Sequence, residues 1–561
     1  MKLYNMILLG AAAGPASAQS GLYTWRGELL GDGFGTAVAR AGDADRDGVE
    51  DVVVGAPGSD QLGPDTGAVY LFSGADGALL WVLHGELPLD HLGAAVAAAG
   101  DVDRDGHADV LVGLPGDGAR WDVGRAWVLS GRDGAFLWRL EGVQPRDLFG
   151  TSVAGVGDVD RDGFDDVAVG APMERRLYHA AGSVRVFSGR TGAVLHDIGG
   201  ADYNDQLGRQ VAGVGDVDLD LFPDFAAAAP LDDDGAPDAG SVRVYSGQSG
   251  AILHTFDGAT LFEQLGSALA GAGDVDADGR PDLIVGTPFD GRAGASSGSA
   301  VVLSGRDGSE IWSAHGAGPE TFFGSAVAGV GDVDGDGFAD FVVGGYGADE
   351  KGSESGMATL YSGIDGAPMH SVFGERTGDG LGRAVALVGD LDRDGLGDFV
   401  VGAPASDGTA AGLGSVRAHN GCPVRARSFC SSSQSSAGPG ARISSSGSSR
   451  VGARDFHLIV NGAVPGQTGQ FYYGAFADEA PFGDGVRCVG GRLFRVGLPV
   501  AVSPAGEVRL RLDFRHPPLS QGLGEVTAGS TWFFQFLFLD PGGPGGRGFN
   551  LSDGLRVTFC R

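Results

Sequence analysis

The stretch DVDRDGHADVLVGLP, Asp101 to Pro115, sets four aspartates within nine residues and then turns apolar. Carboxylates that close repel one another, so the cluster needs open solvent or a counter-ion. The pattern Asp-x-Asp-x-Asp-Gly-x-x-Asp, with one departure from the glycine, occurs seven times. The first four copies are Asp43, Asp45, Asp47 and Asp51; Asp101, Asp103, Asp105 and Asp109; Asp158, Asp160, Asp162 and Asp166; and Asp216, Asp218, Asp220 and Asp224. The last three are Asp274, Asp276, Asp278 and Asp282; Asp332, Asp334, Asp336 and Asp340; and Asp390, Asp392, Asp394 and Asp398.

Carboxylates at positions 1, 3 and 5 of a tight loop converge on one point. Glycine at position 6 permits the sharp turn, the carbonyl of position 7 can point inward, and the aspartate at position 9 closes the cage. Hard oxygen ligands in a flexible loop favour Ca²⁺, since Mg²⁺ demands a stricter octahedron and keeps more water. Acidic surface turns are the alternative, because aspartate is common in turns. Seven copies in register with a longer repeat favour calcium, up to seven ions. The fourth copy is the weak one: Leu221 replaces the glycine and Pro223 follows. Leucine is disfavoured at a positive backbone angle, so this site is expected to be empty or of low affinity.

These loops punctuate a repeat. A Phe-Gly or Leu-Gly pair starts at positions 34, 92, 149, 207, 265, 323 and 381, a spacing of 57 or 58 residues. The aspartates come next, then an apolar run ending in a Gly-Ala-Pro-like turn (VVVGAP, VLVGLP, VAVGAP, FAAAAP), then an alternating segment such as GAVYLFSG. Each unit thus predicts about four short strands, and several such units predict a β-propeller. A helical solenoid would need a 3.6-residue period that is absent. The fourth strand carries Gly-x-x-x-Trp/His, from Gly77 to Trp81 through Gly366 to His370. The seventh unit stops at Asn420-Gly421, where its fourth strand is due, and the matching piece, Gly21 to Trp25, stands at the other end of the chain. The expected fold is therefore all-β: a seven-bladed propeller over residues 19–421 closed by the N-terminal strand, which hides two sheet edges.

Residues 422–561 form a different unit. It opens with the Ser/Gly-rich CSSSQSSAGPGARISSSGSS, readable as a linker, and continues with strand-like DFHLIVNG, GQFYYGAF, EVRLRLDF and TWFFQFLF. These predict a small disulfide-containing β-sandwich. All four cysteines, Cys422, Cys430, Cys488 and Cys560, lie in or at the start of this unit. They imply two disulfides with three possible pairings; the paired Cys-x-x-Cys spacing of a zinc site is missing. Asn550-Leu551-Ser552 has the form of a glycosylation acceptor.

The formal net charge of −33 argues against nucleic acid, which recruits basic surfaces. Residues 1–18 read as a cleaved secretory signal, with Lys2, a short apolar run and Ala16-Ser17-Ala18. No later segment is long and apolar enough to predict a transmembrane helix.

With Phe-Gly, Gly-Ala-Pro and an aspartate loop between them, the repeat resembles the FG-GAP repeat of the integrin α-subunit N-terminal propeller. The resemblance covers about 400 of the 561 residues. It implies seven blades, calcium loops on one face, ligand-binding loops on the other, and a role in extracellular adhesion or recognition. Integrin propellers usually keep the calcium loop in only some blades, whereas all seven copies here retain the aspartates.

Catalytic motifs are weak. Gly294 to Gly298, GASSG, has the Gly-x-Ser-x-Gly form, but a hydrolase elbow needs a strand before it and a helix after it, and here two strands are predicted around it. His196, His254 and His370 share a strand position with tryptophans, which points to packing. The expected function is a secreted, calcium-binding, non-enzymatic module that binds an extracellular protein or glycan through loops such as Gly58–Thr66, Arg175–Ala181, Leu231–Ala239 and Ala348–Ser355. A secreted polysaccharide- or lipid-directed hydrolase built on the propeller and a structural cell-surface component are the alternatives.

Overall fold

A computed structural model describes residues 21–116, 122–175, 180–333, 336–393, 396–406, 412–421, 426–430, 433–446, 456–516, 518–520, 522–526 and 531–559. The signal-like segment 1–18 lies outside the described residues. Those described are all-β, with a single 3-10 turn at Gly522–Gly524. Among them no helix is long and apolar enough to cross a membrane.

The repeats fold as four-stranded antiparallel sheets, the arrangement of a β-propeller. In the first, strands Ala37–Gly42, Asp51–Ala56, Ala68–Phe72 and Leu79–His84 pair in chain order. Five more sheets follow the same order through Pro368–Phe373. The sheet of the last repeat takes its fourth strand from Gly21–Arg26, whose Tyr23 faces Ala418 and whose Trp25 faces Val416.

The strand patterns follow from their places. Each second strand is buried along its whole length, as in Asp51–Ala56 and Asp109–Leu114, so it reads as an unbroken apolar run and does not alternate. The fourth strands are edges and are only half covered. Hydrophobic clusters lie between consecutive sheets. One joins Val53, Val69 and Leu71 to Val110, Val112 and Trp127, and another joins Trp25, Val400 and Val416 of the last sheet to Val52, Val54 and Tyr70 of the first. The first strands of neighbouring repeats lie side by side, and Ala384–Gly389 lies beside Ala37–Gly42.

The geometry explains the two signature dipeptides. The Gly35 N–H donates to the Gly55 carbonyl of its own sheet at 3.0 Å, and Gly93 pairs with Gly113 in the same way at 3.1 Å. The second-strand glycine also abuts the next sheet: a Cβ at Gly55 would overlap the carbonyl oxygen of Gly93, and one at Gly402 that of Gly35. Backbone meets backbone there, so both glycines lack room for a side chain. The fourth repeat carries Ala228 at this place and still keeps the Gly208 N–H to Ala228 carbonyl bond at 3.0 Å.

Beyond the repeats, all four strand-like stretches expected from sequence are strands: His457–Asn461, Thr468–Gly474, Val508–Arg511 and Thr531–Asp540. A six-stranded sheet and a three-stranded sheet share a core of Ile443, Leu458, Val460, Phe471, Phe534 and Phe536. The Ser/Gly-rich stretch is more than a linker, since Arg442–Ser446 pairs with His457–Asn461. Its Ile443 side chain is buried, and its Ile443 N–H reaches the Asp553 carboxylate at 2.6 Å. Cys430 and Cys488 form a disulfide; Cys422 and Cys560 lie outside the described residues. Asn550 is fully buried and its side-chain amide donates to the Gln434 carbonyl at 2.7 Å. Its side chain is therefore closed to the glycosylation its motif suggested.

Candidate metal centres

Each aspartate loop links the first strand of a sheet to the second, and its carboxylates build it. In the first loop, Asp43 accepts the N–H groups of Asp47 and Gly48, both at 3.0 Å. Asp45 accepts the Asp47 N–H at 3.0 Å, and Asp47 accepts the Val49 N–H at 2.8 Å. These bonds hold the turn and leave other carboxylate oxygens available.

The aspartate at position 9 does more than close the loop. Asp51 is fully buried; one oxygen accepts the Ala44 N–H at 2.8 Å and the other the Gly74 N–H at 2.9 Å. The pair of bonds recurs in every repeat, for example from Val102 and Gly131 to Asp109 at 2.9 and 3.2 Å and from Leu391 and Gly421 to Asp398 at 2.9 and 3.0 Å. This residue therefore ties the loop to the end of the third strand, a role its spacing alone did not disclose.

Positions 1, 3 and 9 converge. One oxygen from each of Asp43, Asp45 and Asp51 lies within 4.8 Å of the others, and the same holds for Asp101, Asp103 and Asp109, for Asp158, Asp160 and Asp166, for Asp216, Asp218 and Asp224, and for Asp274, Asp276 and Asp282. The position 5 aspartates Asp47, Asp105, Asp162, Asp220 and Asp278 stand outside these groups, and each accepts the N–H of the residue two places on. In the sixth and seventh loops Asp334 and Asp394 lie outside the described residues. Their Asp332 and Asp340 hold the same backbone partners as their counterparts, as does Asp398.

Two observations show that a cation fits. The Oδ1 atoms of Asp101 and Asp158 are buried with no hydrogen-bond donor, a costly state for a carboxylate oxygen. Burial also pushes the carboxyls of Asp51, Asp109 and Asp166 up to about 7, and those of Asp224 and Asp282 up to about 6, against the pull of their backbone donors. Desolvation disfavours the charged form, and a divalent ion among the oxygens would reverse that preference.

The fourth loop keeps the common shape. Leu221 sits at φ 76°, where Gly48 has 86° and Gly279 has 89°. Its N–H still reaches Asp216 at 2.8 Å. The expected steric cost of leucine is thus real, but the backbone bears it. Position 4 also takes a positive φ without glycine, at Arg46 (64°), Arg104 (59°), Arg161 (57°) and Arg393 (58°).

Several of these arginines reach the neighbouring loop. Arg46 Nε donates to the Gly106 carbonyl at 2.7 Å, and Arg104 lies over the Phe164 ring at 4.3 Å. Arg393 donates to the Asp47 carbonyl at 3.0 Å, linking the last loop to the first. Sequence reasoning missed these arginines; the only trace was arginine recurring between the second and third aspartates.

The shared Trp/His position is a packing device. Trp81 and Trp138 donate Nε1–H to the carbonyls of Gly131 and Gly189 of the following sheet, both at 2.7 Å. The Nε2 atoms of His196 and His254 stand 2.6 and 2.9 Å from the equivalent Gly247 and Gly305 carbonyls. Gly294–Gly298 lies between strands Asp282–Thr287 and Ser299–Leu303; its central Ser296 is half-buried at φ 48°, and the next residue, Ser297, is buried with its hydroxyl on the Asp290 carbonyl at 3.1 Å. The strand-turn-helix setting of a nucleophile elbow is not present there.

The FG-GAP repeat family model matches residues 34–72, 149–187, 265–303, 323–361 and 381–418. Integrin α-5 of Xenopus laevis is 32% identical over 213 residues, which cover 35% of this chain and 20% of that protein. Integrin α-4 of the same organism is 34% identical over 197 residues, 33% of this chain and 18% of that one. Integrin α-V of Gallus gallus is 32% identical over 211 residues, 35% and 20%. The chain thus spans about a fifth of the length of these relatives. With five matched repeats and this similarity, it is an FG-GAP repeat protein whose repeat region is integrin-α-like.

Proposed function

We propose that residues 19–421 form a seven-bladed propeller closed by the N-terminal strand, that the aspartate loops bind calcium, and that the protein is a secreted, non-enzymatic adhesion or ligand-recognition module. The similarity to integrin α subunits supports the adhesive role, and the contact of the last sheet with the first supports closure. Residues 422–561 are read as a separate β-sandwich-like domain.

One observation carries the metal reading: aspartates at positions 1, 3 and 9 converge in loop after loop on one oxygen-lined point. In each loop the carboxylates of positions 1 and 3 and the buried position 9 residue would hold the ion. The bound ion supplies positive charge, which lets the acid-rich loops stay ionised and compact. Because the loops lie at one end of the first strands, the opposite end is free to display the variable loops of the repeats, and binding residues commonly sit on loops held by a rigid frame.

Native mass spectrometry and calorimetric titration test the metal. Uptake of several calcium ions per chain supports the reading, and a chain that takes up none ends it. A panel of extracellular matrix proteins and glycans, probed in calcium and in chelator, tests recognition; calcium-dependent binding is the expected result, and substrate turnover would replace this reading with an enzymatic one.

A further inference from the structure

The first two aspartate loops are tied to each other from both sides. Arg46, at position 4 of the first loop, donates Nε–H to the Gly106 carbonyl at 2.7 Å. Gly106 in turn donates its N–H to Asp101, the position 1 carboxylate of the second loop, at 3.0 Å. The return contact comes from position 7 of the second loop. His107 Nδ1 stands 2.5 Å from the Ala44 carbonyl and, facing an acceptor, carries the ring proton. Ala44 donates its N–H to Asp51, the position 9 anchor of the first loop, at 2.8 Å. A third bond joins the backbones, from the Ala108 N–H to the Asp43 carbonyl at 3.2 Å. Each loop thus grips a residue that holds a candidate ligand carboxylate of the other.

Glycine at position 6 has a second use here. A Cβ at Gly106 would overlap the Arg46 guanidinium, and one at Gly163 would overlap that of Arg104. The side chain that crosses from one loop therefore lies against the turn of the next. The double tie does not recur throughout the chain. In the fifth loop Ala277 stands at the place of Arg46, and in the sixth Phe338 stands at the place of His107. A Cβ at Gly337 would meet none of the described residues within 4 Å. Those two loops keep the backbone bond, from the Ala339 N–H to the Asp274 carbonyl at 2.9 Å.

Drawing the carboxylates of a loop together orders its backbone, and ordering costs conformational entropy. Once the first loop is fixed, Arg46 and Ala44 are fixed with it, so the second loop finds Gly106 and His107 already held. Its own ordering then costs less, which couples the two sites positively without any movement of the sheets. Resting on the calcium reading above, we infer that the first and second loops bind as a coupled pair, occupation of either raising the affinity of the other, with Arg46 and His107 as the positioning residues that carry the coupling. Linkage makes the effect equal in both directions.

The test titrates calcium into the full chain, freed of metal, by calorimetry and native mass spectrometry. The calorimetry is run in about 0.15 M salt, which screens exposed charges beyond roughly 8 Å. Asp45→Asn disables the first loop and Asp103→Asn the second; both side chains are exposed, and asparagine retains an oxygen for the N–H that each accepts. R46A/H107F cuts the ties with residues that other loops of this chain carry at those positions. Its thermal midpoint in calcium is the folding control, and R46A alone replaces it should the double variant melt early. Each asparagine variant is expected to lose one binding step and to weaken another at least about fivefold. In the R46A/H107F background each is expected to lose one step only. Loss of a single step from the otherwise unaltered chain, with the remaining steps unchanged, overturns the inference and leaves the calcium reading standing. A second step that weakens equally with and without the ties overturns the role of Arg46 and His107. A chain that takes up no calcium overturns both.

Discussion

The repeats and the C-terminal unit hold β-sheets together in opposite ways. Between the repeat sheets valine, alanine and leucine predominate around a few rings such as Trp127, and glycine backbones touch from one sheet to the next. At one end of each sheet an acid-rich loop joins the first strand to the second. The C-terminal sheets instead close on large rings: Tyr473 stacks on Phe534 at 5.4 Å, and Phe471 lies 4.6 Å from Phe536, beside the Cys430–Cys488 bridge. One region relies on repeated close backbone approach and carries acid-rich loops that could hold a counter-ion, the other relies on aromatic burial and a covalent tie.

Removing the cation separates the two most strongly. At a calcium concentration tenfold above the dissociation constant, each site contributes roughly 1.4 kcal/mol, so six or seven sites contribute on the order of 8–10 kcal/mol. Differential scanning calorimetry in chelator is expected to show the transition of the repeats falling sharply while that of the C-terminal unit stays in place. Two transitions that fall together would show that the regions unfold as one.

The pH dependence sharpens the same contrast. In the cation-free protein, Asp51, Asp109 and Asp166 have pKa values raised from 3.8 to about 7. Their protonated forms are favoured in the folded state, so this stabilisation is full below about pH 4 and is lost as pH rises through about 7. In chelator, the melting point of the repeats is expected to fall across that window. With calcium present, protons compete with the ion, so the gain from calcium shrinks as pH falls below about 7. Parallel slopes in the two buffers would count against cation binding at position 9.

Point substitutions divide the regions more finely. Phe534→Ala removes a fully buried ring and is expected to cost about 3–5 kcal/mol, read in denaturant melts as a shift of the C-terminal transition with calcium uptake unchanged. Leu221→Gly acts in the other direction and in the other region. It relieves leucine at φ 76°, worth about 1–2 kcal/mol, and is expected to raise the stability of the repeats and to tighten the fourth site in calorimetric titration.

The repeat period, the four strands per unit, the clustered aspartates and the strand completed from the other end were all legible in the sequence, because each is a local pattern repeated in register. The C-terminal strands were legible for a related reason, since alternation and aromatic content mark a half-buried pleat. What stayed hidden was long-range. Asp51 pairs with Gly74 and Arg46 with Gly106, and neither spacing has a propensity that announces it. Asn550 matched a surface motif, yet its environment is set by residues such as Gln434, more than a hundred positions away.

The order of residues alone determined that this chain builds short strands around acid-rich turns, since turn chemistry and apolar periodicity act over a few neighbours. Tertiary structure alone decided that second-strand glycines press on the next sheet and that position 9 carboxylates are buried anchors. Those outcomes depend on which sheet stands beside which, and that is settled only when the sheets pack.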